Sequence, residues 1–248
     1  MIISRTIFKR EIITEFASPT SLSNKVIIFC KGMPSSPGGR AVLEFYAKKG
    51  FNVFLPRYRG AWESHGKFLK KSPHLDILDV VEELPKGFKD LWSNRLIKLK
   101  PKEIYVFGAS FGGPAALLAS NNKRVTKVVA AAPVIDWTKD SKVEPLDWLG
   151  KFTKEAFGEA YRFGHTDWQK LSRGKFYNPW YEMNSIPGEK VLLFHAKDDE
   201  IVPWGPTEKF AKATGAKLIT HKRGGHYGVS SFIEPKFYNQ VKKFLAQK

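Results

Sequence analysis

A chain of 248 residues with 42 % hydrophobic content fits one domain and can bury a sizeable core, which excludes the disordered and fibrous classes. Its single cysteine, Cys30, excludes an internal disulfide and a cysteine-based metal cluster. A net charge of +17 raises nucleic acid or another acidic surface as a partner.

In chain order, the N-terminal run is broken by Arg5, Lys9, Arg10 and Glu11 before any signal-peptide apolar stretch can form. Thr6–Phe16 reads as a first strand and Lys25–Cys30 as a second, with Cys30 a small buried hydrophobe at its inner end. Gly39–Lys49 predicts a helix with Val42, Leu43, Phe45 and Tyr46 on one side, followed by a strand at Asn52–Pro56. Pro73–Trp92 repeats Leu75, Leu78, Val81 and Leu84 at helical spacing, and Pro85 predicts a kink or an early stop. A strand at Glu103–Phe107, a short helix at Gly112–Ser120 and a strand at Lys127–Ala132 follow. The longest apolar stretch, Val128 to Ile135, is too short to span a bilayer. Asp136–Met183 then breaks the rhythm: long and aromatic-rich between two strands, it reads as an inserted cap at about residues 136–183 of a single domain, 1–248. A strand at Lys190–His195, a helix at Thr207–Ala213, a strand at Lys217–Thr220 and a helix at Glu234–Ala246 complete the chain. The alternation implies βαβ units, hence an α/β fold with a mostly parallel central sheet flanked by helices. Strands that are apolar almost throughout fit a sheet covered on both faces.

The charge excess gathers in two stretches. Lys86 to Lys102 carries six bases against Asp90, and Lys212 to Lys248 carries eight against Glu234. Neither interleaves base-stacking aromatics in a recognisable motif. A solvated, lysine-rich face is the expectation, and nucleic acid and membrane are not expected partners. A soluble cytoplasmic protein follows.

The strongest chemical signal is the strand that runs into Gly108-Ala109-Ser110-Phe111-Gly112, with a helix leaving at once. This is a G-x-S-x-G elbow, a strained turn that lifts a serine Oγ clear of the sheet. Glycines two before and two after the serine are required because strand and helix backbones nearly touch there. A dinucleotide fingerprint is the competing reading of a glycine-rich turn. Gly108, Gly112 and Gly113 have the wrong spacing for it, and Asp136 lies beyond the strand end. With no phosphate-binding G-x-x-x-x-G-K-[ST] and no H-E-x-x-H, neither cofactor nor metal is expected.

Around that elbow the chain resembles the α/β-hydrolase family over nearly its whole length. Lys31-Gly-Met-Pro after the second strand is similar to the family's His-Gly-x-Pro oxyanion loop, and Arg57-Tyr-Arg59-Gly-Ala-Trp resembles a segment of acylpeptide hydrolases and related esterases. His195-Ala-Lys-Asp198-Asp199-Glu-Ile-Val202-Pro203 resembles the segment whose aspartate is the triad acid, and Arg223-Gly-Gly-His226 resembles the loop that supplies the base. The resemblance implies Ser110 as nucleophile, His226 as general base and Asp199 as orienting acid, in the order Ser, Asp, His used by this fold. Spacing to Val202-Pro203 selects Asp199 over Asp198. The backbone N–H groups of Met33 and Phe111 would form the oxyanion hole, since Pro34 cannot donate. His195 is expected to be structural, and His65, His74, His165 and His221 to be surface or packing residues. Two positions depart from the family: Lys31 replaces a histidine, and Ala196 replaces a glycine.

The expected chemistry is acyl transfer, because a serine hydroxyl becomes nucleophilic when an adjacent histidine, held in one tautomer by a carboxylate, takes its proton. A small-molecule ester or a short peptide is the expected substrate, with ester hydrolysis favoured. The alternative is a catalytically silent binding protein on the same fold. From Trp137 to Tyr181 there are eleven aromatic residues, among them Trp137, Trp148, Trp168 and Trp180. They are expected either to roof an apolar acyl pocket or merely to anchor the cap.

Overall fold

The computed structural model describes residues 1–139 and 141–247; Asp140 and Lys248, which fall within the cap and the second basic stretch, lie outside them. β1 (Ser4–Phe8) and β2 (Ile12–Ala17) form an antiparallel hairpin, so the single strand expected at Thr6–Phe16 is two. Lys9 and Arg10 turn the chain at φ values of 49° and 57°. Left-handed turn residues usually announce themselves as Gly, Asn or Asp. Two long basic side chains carry no such signal.

β3 (Lys25–Cys30), α1 (Arg40–Lys48), β4 (Asn52–Pro56) and α2 (His74–Glu83) follow. Pro85 stops α2 as anticipated, leaving one 3-10 turn at Leu84–Lys86. The remainder of the predicted helix Pro73–Trp92 is not helical: β5 (Phe88–Lys89) falls within it and pairs with β6 (Leu96–Ile97), beyond its end, in a separate small hairpin. The buried face of α2 is Ile77, Val80 and Val81, continued by Leu84, while Leu75 is exposed. Next come β7 (Glu103–Ala109), α3 (Gly112–Ala119) and β8 (Lys127–Ala131). Between β8 and β9 (Val191–Ala196), the described residues add no strand to the main sheet. They form α4 (Leu146–Phe157), α5 (His165–Gln169) and short 3-10 turns. α6 (Trp204–Thr214), β10 (Lys217–His221) and α7 (Pro235–Ala246) close the chain.

The main sheet has eight strands in the order β1-β2-β4-β3-β7-β8-β9-β10. β1–β2 and β2–β4 are antiparallel, and every other neighbouring pair is parallel. β3 sends Val26, Ile28 and Cys30 into a core shared with α2, α3 and α6, and Ile27 and Phe29 into one shared with α1 and α7. Burial on both faces is why the run is apolar without alternation. Each such aliphatic or aromatic side chain contributes about 1.5–3 kcal/mol.

From β3 the chain moves outward to β4, then crosses back to β7 on the other side of β3. The loops leaving β3 and β7 diverge at that switch, and an open α/β sheet has its ligand crevice there. No helix among the described residues is long and apolar enough to cross a membrane.

Candidate active site

β7 delivers Ser110 into the switch-point crevice. Its φ of 53° lies in the left-handed region, a strain of about 1–3 kcal/mol for a non-glycine residue. The turn is fixed by Ser110 N–H donating to Ala131 O (3.0 Å) and Gly113 N–H donating to Ser110 O (2.9 Å). A Cβ on Gly108 would stand 2.2 Å from Gly112 O, and one on Gly112 would stand 2.1 Å from Cys30 O. Only hydrogens fit between strand and helix. Both motif glycines are therefore steric necessities of the elbow.

The loops after β9 and β10 bring Asp199 and His226 to the same edge. Asp199 is buried; its Oδ1 accepts from the N–H groups of Ile201 (3.0 Å) and Val202 (2.9 Å). Its Oδ2 lies 2.9 Å from His226 Nδ1 and 3.2 Å from His195 Nε2. Burial pushes this carboxyl up, but hydrogen bonds from His195, His226 and the Val202 N–H outweigh it and hold the group well below the ordinary carboxylate range. An ionised acceptor keeps the His226 proton on Nδ1 and leaves Nε2 free to take another. His226 and Ser110 line one cleft of about 810 Å³. Among the described residues no hydrogen bond joins Ser110 Oγ to His226. Contacts of this kind commonly tighten only around substrate.

The two adjacent aspartates do different work. The exposed Asp198 accepts from the N–H groups of Gly224 (2.9 Å) and Gly225 (3.0 Å), pinning the loop that carries His226. His195 is fully buried, with Nε2 3.0 Å from Val202 O, an atom that can only accept. Its proton is therefore on Nε2, and Nδ1 accepts from the Thr207 hydroxyl at 2.9 Å. His195 thus backs Asp199 from behind. His221 meets the Tyr227 hydroxyl (2.9 Å), His74 the Ser72 hydroxyl (2.7 Å), and His165 and His65 are exposed.

Met33 and Phe111 are both buried beside Ser110, and among the described residues neither backbone N–H has a hydrogen-bond partner. Unpaired buried N–H groups are rare. Two of them beside a strained serine, with the N-terminus of α3 adding its positive dipole end, can stabilise a developing oxyanion. The loop after β3 comes very near: a Cβ on Gly32 would lie 3.6 Å from Ser110 Oγ.

That loop is held by Lys31, the departure from the family noted in the sequence, and by Tyr161 and Trp62, which no signal in the sequence placed at the site. Lys31 Nζ donates to Ser36 O (2.5 Å) and Gly38 O (2.7 Å), so a lysine closes the loop where the resemblance leads one to expect histidine. Burial pushes the Lys31 ammonium pKa down, Glu15 opposes this, and Arg57 adds to it. Ser35 N–H donates to the Tyr161 hydroxyl oxygen (3.0 Å), Tyr161 O–H donates to Ser35 O (3.2 Å), and Trp62 Nε1–H donates to Ser35 O (2.9 Å). Tyr161 belongs to the segment between β8 and β9, 126 residues away in sequence, and no local pattern announces it. The other departure, Ala196, is harmless, because it sits in β9 without positive φ.

Ser110 borders a second cavity, of about 60 Å³, with Met33, Phe111, Val134, Trp137, Leu149 and Val202 among its apolar walls and Lys139, Ser141 and Glu144 beside them. Trp137 donates through Nε1 to Tyr177 O (2.8 Å), and the Tyr177 hydroxyl donates to Phe111 O (2.6 Å). Of the four cap tryptophans only Trp137 lines a cavity beside Ser110. Trp168 is buried with its Nε1 on Leu146 O, and Trp148 is largely exposed. Phe152 and Phe157 line the wider cleft. Some aromatics of the segment between β8 and β9 therefore line the cavities beside Ser110, and others pack away from them. Among the described residues no cluster of histidine, cysteine or carboxylates could hold a metal ion.

The sequence profile of the prolyl oligopeptidase family matches residues 38–248. A comparison with curated proteins gives no match. Among solved structures, an esterase from Pyrococcus furiosus is similar at 21 % identity and a TM-score of 0.71, covering 98 % of this chain and 90 % of that one. An esterase from Thermogutta terrifontis is similar at 16 % identity and a TM-score of 0.65, covering 98 % and 91 %. The acylaminoacyl peptidase of Pyrococcus horikoshii is similar at 18 % identity and a TM-score of 0.62, covering 98 % of this chain but 40 % of that one. At such identities the solved structures speak for the fold alone, and the profile match speaks for descent. The chain belongs to the prolyl oligopeptidase family and is a serine hydrolase of the α/β-hydrolase fold.

Proposed function

We propose that this protein is a cytoplasmic carboxylesterase for short acyl chains, one capped domain in which Ser110 is the nucleophile, His226 the general base and Asp199 its orienting acid. The observation that carries the reading is the 2.9 Å contact of His226 Nδ1 with the buried, ionised Asp199, at a cleft that His226 shares with Ser110. Ser110 Oγ attacks the ester carbonyl while His226 Nε2 takes its proton, and the negative charge that develops is met by the N–H groups of Met33 and Phe111. Each such donor is worth about 10²–10³ in turnover. His226 then returns the proton to the departing alcohol, and water, activated by the same nitrogen, releases the acid.

That proton path assigns the two cavities. The leaving group must lie where His226 can reach it, which is the 810 Å³ cleft. The acyl chain then takes the 60 Å³ cavity between Met33, Phe111 and Trp137. That is far below the roughly 300–1,000 Å³ of a drug-sized site, so it suits a short aliphatic chain. Preference for an ester is supported by the likeness to whole esterases, against a match to only 40 % of the peptidase chain.

The test is a series of p-nitrophenyl esters from acetyl to octanoyl beside aminoacyl and acylpeptide p-nitroanilides. Two added methylenes at about 0.8 kcal/mol each predict a rise of about 15-fold in kcat/KM from acetyl to butyryl. A fall is expected by octanoyl, and esters with a charged acyl group should be poor substrates. Selectivity that is flat along the series, or anilides cleaved faster than esters, would remove the acyl-pocket reading.

A further inference from the structure

Nine of the eleven large exposed hydrophobics among the described residues fall into two groups, with Met1 and Leu75 outside them. One surrounds the cap: Val143, Trp148, Phe152 and Tyr181. The other holds the five most exposed in the described chain: Leu22, fully exposed, then Ile2 at 83 %, Trp92 at 72 %, Leu96 at 60 % and Leu91 at 50 %. These five lie at the edge of the sheet where the parallel strands begin, opposite the edge that carries Ser110, Asp199 and His226.

Register fixes that placement. β3 starts beside β7, β7 beside β8 and β8 beside β9. Leu22 lies in the loop entering β3, tied to the start of β4 by the Ser23 hydroxyl donating to Gly50 O at 2.6 Å. The β5–β6 hairpin is fastened to the start of β1: Leu91 N–H donates to Arg5 O (2.8 Å) and the Ser4 hydroxyl to Asp90 (3.3 Å). Its root is anchored by Phe88, buried against Phe8, Phe16 and Phe54. Its one acid, Asp90, is buried and spent on the Trp92 N–H and the Ser93 hydroxyl. The tip is thus a fixed wedge that holds Leu91, Trp92 and Leu96 outward.

The same edge is strongly basic. Lysines stand at the starts of the parallel strands: Lys25, Lys102, Lys127, Lys190 and Lys217. Around the wedge are Lys89, Arg95, Lys98 and Lys100, all exposed and none in an ion pair among the described residues. Bases at Lys48, Lys212 and Lys243 sit in last turns of α1, α6 and α7, where the helix dipole accounts for them. No α-helix end accounts for those of the hairpin. Protruding apolar side chains set among unpaired bases, on a strand-start edge, match a surface that is anionic and yields to apolar insertion.

We propose that this edge docks the protein on an anionic lipid surface, with Leu22, Leu91, Trp92 and Leu96 entering the headgroup layer and the catalytic cleft facing the water. A single-stranded nucleic acid fits less well. The projecting groups are four aliphatic side chains, three leucines and Ile2, to one tryptophan, and an aliphatic side chain offers no plane for a base to stack on.

The experiment is co-sedimentation of the full chain with vesicles of phosphatidylglycerol and phosphatidylcholine, or of phosphatidylcholine alone, at low and high salt. Two variants accompany it: Leu22→Ser/Trp92→Ser/Leu96→Ser, and Lys98→Glu/Lys100→Glu. The wild type should bind the anionic vesicles at low salt, leave the neutral ones in solution, and lose at least tenfold in affinity at high salt. Each variant should bind at least tenfold more weakly while hydrolysing a soluble ester like the wild type without vesicles. The proposal is overturned if the wild type ignores anionic vesicles, or if the triple-serine variant binds them undiminished. It is equally overturned if single-stranded RNA binds more tightly than vesicles, or if the chain forms a dimer that the triple-serine variant abolishes and that does not bind lipid.

Discussion

Replacing Asp199 with asparagine preserves the side chain's size and removes one acceptor. The N–H groups of Ile201 and Val202 both donate to Oδ1, so the amide oxygen stays there and the NH₂ takes the place of Oδ2. That NH₂ then confronts His226 Nδ1 at 2.9 Å and His195 Nε2 at 3.2 Å. His195 Nε2 keeps Val202 O as an acceptor at 3.0 Å and loses little. His226 has no second acceptor at Nδ1 among the described residues, so it shifts its proton to Nε2 and can no longer take one from Ser110. A wrong-tautomer substitution of this kind costs about 10⁴ in kcat, equivalent to about 5.5 kcal/mol. Asp198→Asn is the matched control. Its amide oxygen can still accept from Gly224 and Gly225, so the loss should stay within about tenfold, the size of one weakened hydrogen bond. The assay is steady-state hydrolysis of p-nitrophenyl butyrate, with circular dichroism to show that both variants fold. If Asp198→Asn is the more damaging, or if Asp199→Asn retains activity within tenfold, the assignment of the acid is wrong.

Tyr161→Phe removes the one hydroxyl that both accepts from Ser35 N–H and donates to Ser35 O; with Trp62 still bonded to that carbonyl, kcat should fall about tenfold at little change in KM. An unchanged kcat would show that the loop carrying Met33 is held without the cap. Burial pushes His74 from 6.5 down to about 4, because the charged imidazolium is disfavoured away from water. The unfolded chain therefore binds the extra proton first, so the protein should lose stability as pH falls from about 6.5 and stop losing it from this source below about 4. Urea midpoints at pH 7 and pH 4.5 should differ less in His74→Gln than in the wild type; an identical difference would refute the claim.

How much of this was legible beforehand depends on how local each cause is. The elbow could be read from five residues, because the clashes that exclude side chains at Gly108 and Gly112 arise within one strand–turn–helix unit. The apolar strands were equally plain, since a strand buried on both faces must be apolar throughout. The β1–β2 turn was missed because Lys9 and Arg10 adopt left-handed backbone without the residue types that favour it. β5 was absorbed into the predicted helix and β6, beyond its end, was not read at all, because each strand is two residues long, too short for a period to show. At the site, Ser110, Asp199 and His226 stood out through segment motifs, and the structure brings Asp199 and His226 into contact at the crevice that Ser110 lines. Tyr161 could not be read, because its partnership with Ser35 exists only once the segment after β8 has folded back over the loop after β3.

The measurement that most directly tests the central claim is active-site labelling. A fluorophosphonate probe should modify the wild-type chain once, and peptide mass spectrometry should place the adduct on Ser110. Ser110→Ala should stay folded, because losing one half-exposed hydroxyl removes little packing, and it should take up no label. A folded Ser110→Ala that is still labelled, or a wild-type adduct on any other residue, would contradict the account.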